Sequence, residues 1–92
     1  MRKRYRSRSE IAHAILQLAE KGATKTRIMY GAYVSYSQLR EYLDWMIEKG
    51  LLHHDKKHNV YDLTDQGLHL LHLFENLEEL TEKTGDSKEN SD

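Results

Sequence analysis

Three short stretches hold the residues whose chemistry could serve a ligand: Lys25, Thr26 and Arg27; then Ser35, Tyr36, Ser37 and Arg40; then Lys56, Lys57 and His58. All three offer donors or positive charge. A helix start carrying lysine and arginine suits phosphate, because its backbone amides point the same way. A guanidinium such as that of Arg40 can bridge guanine O6 and N7. A turn of two lysines and a histidine could meet phosphate or a minor groove. Each stretch has a plainer reading beside the functional one. The first is an exposed helix start, and the last a solubilising turn. Arg40 could pair with Glu41 or Asp44, or hold phosphate without reading a base. Tyr36 falls towards the core side of its helix, so burial and contact are equally open. Tyr30 and Tyr33 could pack or contact a ligand.

Catalysis finds little to work with. There is no glycine-rich phosphate loop, no serine elbow and no His-Glu-x-x-His helix. Asp62 and Asp65 are close in sequence, but one ends a strand and the other opens a helix. The chain has 6 histidines and no cysteine. His53, His54 and His58 share one segment, and His69 and His72 are three apart on another. Imidazole can bind zinc or nickel, yet no cluster supplies four ligands, and solvated surface histidines are the reading adopted. No metal, cofactor or small-molecule ligand is expected.

Size and charge narrow the class further. Ninety-two residues suit one domain with tails, small enough for self-association to aid stability. No apolar run reaches the roughly 18 residues of a membrane span, and the basic start lacks the apolar stretch of a secretory signal. A cytoplasmic protein is expected. Net charge is −1, but it is unevenly placed. Arg2, Lys3, Arg4, Arg6 and Arg8 crowd the start. Glu75, Glu78, Glu79, Glu82, Asp86, Glu89 and Asp92 crowd the end. A basic arm and an acidic tail suit a nucleic-acid binder whose tail stays clear of the ligand.

The elements that must position these residues follow from caps and periodicity. Ser9 caps a helix to about Lys21 that Gly22 ends, with Ile11, Ala14, Ile15 and Leu18 as core stripe and Ala12, Leu16 and Ala19 as a milder one. Thr24 caps a second helix from Lys25 to about Gly31, with Ile28 and Met29 inward. Val34 plugs the core between helices. Ser35 with Gln38 forms a capping box for a third helix, which Gly50 closes. Leu39, Leu43, Met46 and Ile47 are its buried face; Trp45 at the edge could anchor an interface, but a structural role against the first or last helix is the reading adopted. Asp44 and Glu48 would repel a polyanion, so only its first two turns can approach one. Two helices joined by so short a turn make a helix-turn-helix. Leu51–His54 and Val60–Leu63 form a hairpin with Asp55–Asn59 as its tip: a basic wing behind a recognition helix. Thr64 caps the last helix. Leu68, Leu71 and Phe74 face the domain, while Leu70, Leu73, Leu77 and Leu80 repeat as in a coiled coil and predict a dimer interface.

The runs Gly22-Ala-Thr-Lys-Thr-Arg-Ile-Met-Tyr30, Val34-Ser-Tyr-Ser-Gln-Leu39, Tyr42-Leu43, Glu48-Lys-Gly-Leu-Leu52 and Tyr61-Asp-Leu-Thr-Asp-Gln-Gly67 resemble, in this order, an archaeal winged-helix family. Its members are DNA-binding proteins of about ten kilodaltons, associated with chromatin or regarded as transcriptional regulators. The resemblance spans roughly residues 9–80. It implies a mainly α fold with a small β-hairpin, a winged helix-turn-helix whose last helices pair as an antiparallel coiled coil. The expected organisation is a basic flexible arm (1–8), the winged-helix domain (9–63), a dimerisation helix (64–83) and a disordered acidic tail (84–92). The expected function is binding of double-stranded DNA as a homodimer, nucleoid-associated, in transcription regulation or chromatin organisation. The alternative is a winged helix that binds another protein, with the arm as a tether.

Overall fold

A computed structural model describes residues 6–90, with side chains described as far as Thr81. The elements run α1 (Arg8–Ala19), α2 (Lys25–Ala32), α3 (Tyr36–Glu48), β1 (Leu52–Asp55), β2 (Val60–Leu63) and α4 (Asp65–Asn90). α1 packs on α2, α4 and β2, and α3 packs on α2 and β1. The strands pair antiparallel, with Leu52 opposite Leu63 and Asp55 opposite Val60. This is the mainly helical, winged helix-turn-helix architecture expected.

Local chemistry sets the helix starts. Ser35 accepts from the Gln38 amide at 3.2 Å, while the Gln38 side chain accepts from the Ser35 amide at 3.1 Å. Thr24 caps α2 through the Arg27 amide at 3.2 Å. Gly22 and Gly50 hold φ of 82° and 77°, left-handed values that glycine adopts without a Cβ penalty. α1 corrects the reading at its start. It begins at Arg8, and Ser7 is the cap rather than Ser9, because Ser7 and Glu10 form a full capping box. The first segment therefore does not extend to residue 8 as a flexible arm; residues 1–5 lie outside the described residues.

Burial differs from the periodicity in several places. On α1 the milder stripe is the deeper one: Ala12, Leu16 and Ala19 are buried with Ile11 and Ile15, while Ala14 and Leu18 sit half-buried at the margin. α2 passes close to this helix, since a Cβ on Gly31 would lie 2.7 Å from the Leu18 side chain. On α3 the buried set is Leu39, Tyr42, Leu43 and Met46, and Ile47 is exposed. The core contacts this helix on the Tyr42 side, so Ile47 is left at the rim. Val34 is buried between α2 and α3 as expected.

The wing is tied down from both sides. Ala23 and Tyr61 exchange backbone hydrogen bonds at 3.0 and 2.8 Å, a bridge between the α1–α2 connection and β2 that no local pattern announces. Thr64 donates its hydroxyl to the Gly50 carbonyl and accepts from the Gly67 amide. A Cβ on Gly67 would fall 2.1 Å from the Leu51 carbonyl oxygen, so α4 docks on the chain leaving α3 only because that residue is glycine. Leu71 is fully buried, Leu70 and Phe74 pack partly against the core, and Leu68 is at the exposed edge. α4 also continues to Asn90, where disorder was expected from Thr84. No proline interrupts it, and extending a formed helix adds one hydrogen bond per residue fixed.

Candidate nucleic-acid interface

The starts of α2 and α3 come together. The Lys25 ammonium stands 5.5 Å from the centre of the Tyr36 ring, within cation–π range. Thr26, Arg27, Ser35, Tyr36, Ser37 and Arg40 are all exposed. Tyr36 therefore resolves towards solvent, and Gln38 is spent on the cap as expected. Two helix N-termini, each with a partial positive charge, thus meet beside Lys25, with Arg40 about one turn into α3, whereas Arg27 lies against the end of α1, in a groove with Gln17 and Lys21. Along α3 the sign changes: Glu41, Asp44 and Glu48 are exposed further down. The corner can hold an anion, and the far end of the helix repels one.

The wing tip is built differently. Asp55 accepts from the amides of Lys57 at 3.1 Å and His58 at 3.3 Å, and its other oxygen meets His58 Nδ1 at 2.8 Å. The His58 ring contact, foremost, holds the Asp55 carboxyl below its ordinary range; desolvation opposes it, and the two amides add smaller contributions in the same direction as the ring. His58 is thus occupied within the turn, which leaves Lys56 and Lys57, both exposed, as the outward cations. No hydrogen bond, ion pair or ring contact among the described residues joins the tip to the α2–α3 corner. A ligand would have to span the two.

Two contacts escaped the sequence reading. Arg6 donates to the Tyr33 carbonyl at 3.0 Å. Arg8 lies 5.2 Å from the ring centres of both Tyr42 and Trp45, which meet edge to face. Arg6 therefore holds the connection into α3, and Arg8 packs on the middle of that helix. Neither had a signal beyond the Ser7–Glu10 capping box, which alone places them at a helix start. Trp45 has the structural role expected of it.

The histidines are dispersed. His53 pairs with Asp62 at 3.3 Å, and His54 stacks on Tyr61 at 4.3 Å. His13, which the sequence did not single out, stacks on Phe74 in a groove between α1 and α4, and its Nε2 is buried without a hydrogen-bond partner. Among the described residues no group of three or more histidines and carboxylates could hold a metal ion. No helix among them is long and apolar enough to cross a membrane.

On α4 the four leucines of the expected interface are not equivalent. Leu73, Leu77 and Leu80 are exposed, whereas Leu70 leans on the core.

Comparison with known proteins agrees with the architecture. A family model described as winged helix-turn-helix matches residues 5–82. An uncharacterized protein of Methanocaldococcus jannaschii is 33% identical over 78 residues, covering 84% of this chain and 75% of that protein. The crystal structure of Sso10a-2, a DNA-binding protein from Sulfolobus solfataricus, matches with a TM-score of 0.76 and 29% identity over 92% of each chain. The winged-helix resemblance carried by the sequence motifs is borne out.

Proposed function

Because this chain belongs to the winged helix-turn-helix family, we propose that it binds double-stranded DNA as a homodimer and acts by binding, without catalysis. The observation that carries the reading is the corner where α2 and α3 begin. Lys25 stands over Tyr36 there and Arg40 follows about one turn into α3, while Asp44 and Glu48 are kept to its later turns. The first two turns of α3 then enter a major groove. Ser35, Ser37 and Thr26 are placed to hydrogen-bond phosphate, and Lys56 and Lys57 reach the backbone or minor groove beside it. The description of Sso10a-2 as DNA-binding supports this choice of ligand.

The dimer follows from α4. Leu73 and Leu77 present apolar surface a turn apart on a helix whose opposite side is already docked. Stripes of that kind mark interfaces, and the 3–4 spacing suits a coiled coil. Two copies would place two corners on one duplex or on neighbouring ones. Titration of duplex DNA at two salt concentrations tests the reading: affinity should fall steeply with salt as counterions are released. Absence of binding at low salt would hand the surface to a protein partner. A genome-wide footprint then separates the two biological roles, with scattered coverage for chromatin organisation and discrete peaks for transcription regulation.

A further inference from the structure

The same corner carries something a duplex reader does not need. Tyr30, Tyr33 and Tyr36 are 70%, 84% and 55% exposed, and they occupy the end of α2, the connection and the start of α3. Exposed aromatic surface of this extent, concentrated in seven residues of chain, usually meets a ligand. Tyr33 is the most telling. It closes α2 in a left-handed conformation, with φ 57° and ψ 50°, where glycine or asparagine is the comfortable choice. Its ring gains little burial in return. Arg6 fixes the strained peptide by donating to the Tyr33 carbonyl at 3.0 Å. The fold thus tolerates a disfavoured backbone that holds an aromatic ring out in solvent.

Two of the rings also lie beside a cation. Lys25 stands over Tyr36. Arg40 is four residues beyond Tyr36 on α3, and Arg27 three residues before Tyr30 on α2. Those spacings put side chains next to one another on a helix surface. Aromatic faces alternating with cations suit unpaired bases, which stack on the rings while their phosphates meet the charges. A closed duplex hides its base faces and cannot use the rings in that way.

We propose that the α2–α3 corner also binds single-stranded DNA, by stacking bases on Tyr30, Tyr33 and Tyr36 between phosphates held by Lys25, Arg27 and Arg40. The proposal shares its cations with the duplex-binding reading, but the rings are its own. The test is fluorescence anisotropy on the full chain, with a labelled thymidine oligonucleotide about 20 nucleotides long and a duplex of the same length. Wild type should bind both. Tyr30→Ser and Tyr33→Asn should each weaken the single strand at least about fivefold and the duplex less than about twofold, with melting unchanged; Tyr36→Ser, on the turn that also meets the duplex, should weaken the single strand by the larger factor. Asparagine keeps the left-handed conformation at position 33, so that variant removes the ring and spares the turn. Tyr36→Phe, which retains the stacking face, should bind the single strand as wild type does. Unchanged single-strand affinity in all three variants, or equal losses on both ligands, would overturn the stacking role. Binding of duplex but not of oligothymidine sinks this proposal alone, and binding of neither removes the duplex reading with it.

Discussion

Helices α3 and α4 each bury one face against the core and turn the other outward, yet the outward faces have opposite chemistry. On α3 the outward side holds Ser37, Arg40, Glu41, Asp44 and Glu48, and its charge is graded from cation to acid. On α4 it holds Leu73, Leu77 and Leu80. The inward faces are alike, built on Leu39, Leu43 and Met46 in one case and Leu71 in the other. The hydrophobic pattern that folds a helix onto a domain therefore says little about its outer surface. That surface is free to follow a partner: the proposed polyanion against α3, and the proposed second copy against α4.

The strongest way to test this division is to cut on either side of α4. Leu71→Ala should lower unfolding stability by about 2–5 kcal/mol, as for other fully buried leucines. Leu73→Ala should cost much less in chemical denaturation at concentrations too low for association. Equal losses would mean that α4 has no distinct outer face. Next in size is the double substitution Leu73→Glu and Leu77→Glu. Wild type should sediment as a dimer at micromolar concentration and the variant as a folded monomer. A wild type that sediments as a monomer removes the dimer altogether.

The outer face of α3 is probed more gently. Arg40→Ala should cost about 1–3 kcal/mol at a preferred DNA site and relax the preference at one base pair, if the guanidinium reads a guanine. Lys57→Ala should weaken all sequences about equally and flatten the salt dependence by about 0.9 in slope, since phosphate carries no sequence information. Selection from random duplexes distinguishes the two. Uniform losses from both substitutions would turn the corner into a general phosphate clamp.

The smallest effect concerns the wing tip. The Asp55 carboxyl is held below its ordinary range, chiefly by the His58 ring. The tie is complete above the ordinary aspartate pKa and is lost as pH falls through the lower folded value. The amide resonances of Lys57 and His58 should therefore move together in that acid window, and Asp55→Asn should abolish the step. Movement of the two amides at separate pH values would show that Asp55 does not organise the turn.

Much of this arrangement could be read in the chain. Ser35 with Gln38 announced the start of α3, Thr24 that of α2, and Gly22 and Gly50 two of the helix ends. Ser7 with Glu10 carried the same signal for α1 and was legible, although Ser9 was the expected cap. The residues of the corner were visible as types and spacings. That Lys25 would stand over Tyr36 was not, because the contact joins two helices across a turn whose geometry depends on the left-handed Tyr33. The bracing by Arg6 and Arg8 was hidden for a similar reason: its partners are 27 or more residues away in sequence.

What the sequence determined by itself is whatever closes within a few residues. Capping boxes, glycine stops and the tip of the hairpin depend on hydrogen bonds between neighbours two to four positions apart, and their partners are written beside them. Tertiary structure decided which apolar residues are buried. Periodicity allowed Ile47 and Leu70 the same roles as Leu43 and Leu73, but burial depends on where the next element lies. The core reached Tyr42 and Leu70 and left Ile47 and Leu73 outside. Close approaches at Gly31 and Gly67 set those distances, and a missing side chain acts only through what packs against it. For that reason the helices could be drawn from the sequence, whereas their inner and outer faces had to await the fold.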